Sequence, residues 1–134
     1  GPTEVEGPRI VMLCAELSYA EPPARSLEKL DSGSLLTYDR PEQFRLNPPV
    51  GEVALFVIVD RESLESTAHT LRWLGRHWHG TARVVVGETG SGRQELTARM
   101  DGAIYLVYPI PSEQWQSLVR LAVQSAKRAG IPAA

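Results

Sequence analysis

Hydrophobic residues fall along this chain in two rhythms that alternate five times. Arg9 to Leu17 (RIVMLCAEL) opens with a continuous apolar run, the pattern of a strand covered on both faces. Pro22 and Pro23 precede Ala24 to Leu30, predicting a short helix with Leu27 and Leu30 available for burial; proline is tolerated at a helix start, where its missing N–H would be unbonded anyway. Ser32-Gly33-Ser34 ends that helix, and Leu35 to Tyr38 reads as a second strand. Pro41 to Phe44 supports only one turn, because Asn47-Pro48-Pro49 blocks extension. A stunted helix or ordered loop is expected there, with Phe44 and Leu46 covering the sheet. Val53 to Val59 (VALFVIV) is the most hydrophobic run and reads as the central strand. Leu64, Ala68, Leu71, Leu74 and Trp78 then trace one helical face. Val84 to Val86 predicts a fourth strand, Gln94 to Met100 a short helix, and Ala103 to Val107 a fifth strand. Pro109 and Pro111 hold the following segment extended or turned. Ser112 is expected to cap a long final helix, with Glu113 in its first turn and Trp115, Leu118, Val119, Ala122 and Ala126 on one stripe.

Strands alternating with helices predict a parallel sheet with helices on both faces, joined by right-handed crossovers. A length of 134 residues suits one such domain. Residues 1–8 read as a disordered or tag-derived N-terminus, 9–129 as the folded domain, and 130–134 as a tail or the start of a linker. The net charge of -2 is spread along the chain, with no basic patch of the kind that binds nucleic acid. No apolar run approaches the roughly 18 residues of a membrane span. With a single cysteine and no secretory leader, the expected setting is cytoplasmic.

Function in such sheets gathers at the carboxyl ends of the strands, here around Cys14 to Glu16, Asp60, Gly87 and Tyr108. Asp60 follows the central strand, where a carboxylate serves either as a reactive acid or as the cap of the next helix. The loop GETGSGR, Gly87 to Arg93, lies between a strand and a helix like a phosphate loop. Arg93 and Gln94 nevertheless stand where Lys and Ser or Thr would be needed. His69, His77 and His79 do not share a metal-binding spacing, and Cys14 has no evident partner base, so no metal or cofactor is expected. Trp78 fits the apolar stripe of its helix, whereas Trp73 is expected at its edge or in a contact surface.

Arg9 to Arg128 resembles the receiver domain of two-component response regulators. The resemblance rests on RIVML as first strand, FVIVD as phosphoacceptor strand and AIYLVYPIPSEQW as closing strand, turn and helix start. It implies a CheY-like, flavodoxin-like α/β fold: a doubly wound five-stranded parallel sheet, order 2-1-3-4-5, here with a shortened second helix. It also implies a phosphoacceptor pocket, and in this chain that pocket is degenerate. Cys14 and Ala15 stand where receivers carry two adjacent acids, with Glu16 one place beyond. Gly87, or Glu88, stands in place of Ser or Thr, and Tyr108 in place of the lysine. Asp60 is retained, as is Tyr105 at the aromatic switch position. The expectation is an atypical or pseudo-receiver, non-enzymatic, acting without phosphorylation through contact with itself or another signalling protein. An attached effector domain, rather than this one, would bind DNA. The face implied for dimers would comprise residues around Arg99, Tyr105, Arg120 and Lys127. Two alternatives stay open: a phosphorylatable receiver using Asp60 with Glu16 and Glu88 as metal ligands, and a small-molecule or nucleotide-sensing module using the Gly87–Arg93 loop.

Overall fold

The expected alternation is realised in the computed structural model, which describes residues 8–14, 17–30, 34–59, 64–87 and 92–129. The elements run β1 (Arg9–Leu13), α1 (Glu21–Leu30), β2 (Ser34–Tyr38), α2 (Pro41–Leu46), β3 (Val53–Val59), α3 (Leu64–His77), β4 (Ala82–Gly87), α4 (Gly92–Met100), β5 (Ile104–Val107) and α5 (Ser112–Ala129). A short 3-10 turn, Leu17–Ala20, precedes α1. The strands form one parallel sheet in the order β2-β1-β3-β4-β5, as the family resemblance implied.

Strand alternation divides the core in two. Leu55, Val57, Val84 and Val86 enter the layer beneath α1 and α5, meeting Leu27, Trp115, Val119 and Val123. Phe56, Ile58 and Val85 enter the opposite layer with Phe44 of α2, Leu71 and Leu74 of α3, and Ala98 of α4. A central strand buried on both faces must be apolar at every position, which is why β3 shows no polar alternation. Among the described residues, no helix is long and apolar enough to cross a membrane.

Several expectations need correction at element ends. α1 begins at Glu21 and takes both prolines into its first turn, where neither needs a backbone donor. α4 begins at Gly92, so Gly92 and Arg93 belong to a helix rather than to the glycine-rich loop. Ser112 is the first residue of α5, not the residue before it; the N–H groups of Gln114 and Trp115 both donate to the Pro111 carbonyl, at 3.0 and 3.1 Å. α2 is the short helix anticipated, at six residues, but only Phe44 covers the sheet. Leu46 is 79% exposed, because the two-residue step from Phe44 turns it to the far side of the helix. Trp73 and Trp78 both pack, half-buried, against Phe44.

Candidate functional site

Parallel register brings the carboxyl ends of four strands together, with Leu13 beside Ile58, Val59 beside Val86, and Gly87 beside Val107. Of the residues expected to line a phosphoacceptor pocket, Ala15, Glu16, Asp60 and Glu88 lie outside the described residues, as does the middle of the Gly87–Arg93 loop. Cys14, Gly87 and Tyr108 are described.

Cys14 is buried directly after β1, its N–H donating to the Tyr38 carbonyl at 2.9 Å. Burial pushes its thiol above the usual cysteine range, so the side chain is a neutral packing group near pH 7. Tyr108 extends the β4–β5 ladder by one bond, its N–H donating to the Gly87 carbonyl at 2.9 Å. Its ring meets Tyr19 edge-on, with centroids 4.7 Å apart and planes at 72°. Tyr19 is buried in the 3-10 turn after β1, whereas Tyr108 is 49% exposed. The pair thus joins the end of β5 to the segment that follows β1. Edge-to-face pairs of this kind contribute about 0.5–1.5 kcal/mol beyond area burial.

Gly87 is tightly enclosed. A β-carbon there would collide with the Tyr105 hydroxyl and with the side-chain oxygen of Gln94. Tyr105 is turned inward and its hydroxyl donates to Gln94 Oε1 at 2.7 Å, linking β5 to α4. The carboxyl end of β4 at Gly87 is therefore closed by a tyrosine from the neighbouring strand. Sequence reading identified Gly87 and Tyr105 separately, placed Gln94 only at a helix start without linking it to them, and missed Tyr19. Both come from segments whose local pattern is merely polar or mixed, and only the fold brings them to the strand ends.

Among the described residues, no three His, Cys, Asp or Glu side chains converge on a metal-sized space. His69, His77 and His79 are all exposed, and His77 is occupied locally, its Nδ1 2.9 Å from the Trp73 carbonyl and its ring stacked on Trp73 at 4.3 Å. On the face expected to make contacts, Arg99 and Arg120 are exposed, Tyr105 lies beneath the surface, and the Lys127 side chain lies outside the described residues. Arg99 approaches Glu95 of its own helix at 3.7 Å. Exposed apolar side chains accompany them: Leu96 (60%) and Met100 (77%), one turn apart on α4, and Ile104 on β5.

No family model and no curated protein matches the chain. Solved structures do. A CheY-like receiver domain protein from Methanospirillum hungatei superposes with a TM-score of 0.75 at 11% identity, covering 93% of this chain and 100% of that one. The chain has the receiver-domain fold. The signal receiver domain of a putative Luxo repressor protein from Vibrio parahaemolyticus matches with a TM-score of 0.72 at 17% identity, covering 92% and 95% of the two chains. The beryllofluoride-activated NtrC4 receiver domain dimer matches with a TM-score of 0.73 at 14% identity, covering 88% and 98%. Identities this low, with near-complete coverage, speak to the shared receiver fold alone.

Proposed function

We propose that this receiver-fold domain is a pseudo-receiver: a non-enzymatic regulatory part of a response regulator that signals through contacts made without phosphorylation. The reading is carried by Tyr108. It stands where the resemblance calls for a lysine, and its ring is engaged with Tyr19 instead of offering a cation. A phosphoryl group adds about -1.5 to -2 charges near neutral pH, and without that cation and a paired acid site most of the charge stays unneutralised. The closure of Gly87 by Tyr105 and Gln94 supports the same reading: neither Gly87 nor Glu88 carries a hydroxyl, and the Tyr105 hydroxyl that fills the space beside Gly87 is bonded to Gln94. The partner is a second copy or another cytoplasmic signalling protein. Self-association has a precedent in the NtrC4 receiver dimer of the same fold.

Incubation with acetyl phosphate or phosphoramidate and Mg²⁺, followed by intact-mass measurement, tests the proposal. The mass is expected to stay unchanged. Stoichiometric addition of one phosphoryl group, abolished by Asp60→Asn, would overturn it in favour of a phosphorylatable receiver that recruits Glu16 and Glu88.

A further inference from the structure

α4 is lightly anchored. Ala98 is its buried residue, Gln94 and Thr97 are half-buried, and Leu96 and Met100 face outward. Its carboxyl end is tied by backbone bonds, from Gly102 N–H to the Arg99 carbonyl at 3.1 Å and from Ala103 N–H to the Ala98 carbonyl at 2.9 Å. Its amino end is tied to β5 by the side-chain bond from the Tyr105 hydroxyl to Gln94 Oε1 at 2.7 Å. That bond forms in a space which exists only because residue 87, at the end of β4, lacks a β-carbon.

We propose that Gly87, Gln94 and Tyr105 form a latch that holds Tyr105 inward and fixes the amino end of α4 in one position. The proposal deepens the phosphorylation-independent reading and rests on it for its meaning in signalling: the outer face of α4 and β5 is preset in the unmodified protein. Swinging Tyr105 out would leave a void beside Gly87 and break its bond to Gln94 Oε1, and both changes are unfavourable. A side chain at position 87 would compete directly with the ring for its place. Displacing the ring also breaks its bond to Gln94, and with it the side-chain tie at the amino end of α4.

Amide hydrogen exchange on the whole chain tests the latch without reference to phosphorylation. Gly87→Ala is expected to speed exchange of α4 amides by about tenfold or more while β1 and β3 keep their protection, the pattern of a local opening. In a Tyr105→Ala background, where the ring no longer contests the space and the Gln94 side chain, released from the ring's hydroxyl, can turn away from position 87, adding Gly87→Ala should leave α4 exchange and the denaturant midpoint unchanged. If Gly87→Ala alone does not fold, the comparison of Tyr105→Ala with the double variant decides. α4 exchange unaffected by Gly87→Ala, or a double variant further destabilised relative to Tyr105→Ala, would overturn the latch. Phosphorylation of Asp60 with the exchange pattern intact would instead remove the signalling reading and leave the latch standing.

Discussion

At the residue scale, Arg83 shows how a side chain can explain glycines far from it in sequence. It leaves β4 with its guanidinium half-buried, Nη1 donating to the Leu71 carbonyl at 3.3 Å and Nε buried without a partner among the described residues. Two glycines make room for it. A β-carbon on Gly75 would lie 2.8 Å from Nη1, and one on Gly102, whose φ is +78°, would lie 3.2 Å from Nη2. Gly102 was readable from the Asp101-Gly102 turn; Gly75, inside the apolar pattern of α3, was not, because its reason arrives from another strand. Gly75→Ala brings two opposed effects: alanine gains about 1 kcal/mol of helix propensity, while the displaced guanidinium loses a bond worth about 1 kcal/mol. The substitution should therefore be close to neutral in the native background and stabilising by about 1 kcal/mol in an Arg83→Ala background. Urea unfolding of the four proteins measures this coupling, and equal gains in both backgrounds would mean that Arg83 does not hold that space.

At the element scale, α2 depends on one side chain. Its preceding residue Arg40 makes no side-chain cap, and the helix closes with the Asn47 N–H bonded to the Gln43 carbonyl. Phe44 is buried among Tyr38, Phe56, Trp73 and Trp78, with ring centroids between 5.1 and 5.8 Å away. Tyr38 adds a tether beyond the helix, its hydroxyl donating to the Asn47 carbonyl at 2.6 Å. Phe44→Ala should cost about 3–5 kcal/mol, as deletion of a fully buried aromatic ring does, and should release α2 to fast amide exchange. Leu46→Ala should change the denaturant midpoint little, which checks the corrected exposure of Leu46. The strands and the long helices were legible because a two-sided core demands continuous apolar runs and a helix packed on one face demands a stripe. α2 was legible as a short element from its flanking prolines. Its orientation was not, since a single turn carries too few residues to define a face. α4 was equally opaque: its larger apolar residues Leu96 and Met100 face outward, and it is held inward by small Ala98 and the polar bond of Gln94.

At the scale of the whole molecule, the order of the sheet and the gathering of the strand ends followed from the sequence, but the closure of those ends by Tyr19, Gln94 and Tyr105 is a product of three-dimensional packing. The same distinction bears on self-association. The face implied for dimers carries the cations Arg99 and Arg120, which invites charge pairs across a two-fold. In the folded domain Arg99 already lies near Glu95 of its own helix, and an exposed pair of this kind contributes only about 0–1 kcal/mol. Leu96 and Met100 stand exposed beside it, so apolar burial on α4 would supply the larger attractive term if two copies met there, while the charges would set register. A two-fold would place each patch against its own copy, doubling the effect of every substitution. Sedimentation over a concentration series should show a mass that rises with concentration. Leu96→Glu or Met100→Glu should abolish the rise, because each buries an uncompensated charge at the contact. Arg99→Glu and Arg120→Glu should only weaken it, and that weakening should shrink as salt screens exposed charges. A strictly monomeric protein at the highest concentration, or association indifferent to Leu96→Glu and Met100→Glu but lost with Arg99→Glu, would show that the outer face of α4 is not where copies of this chain meet.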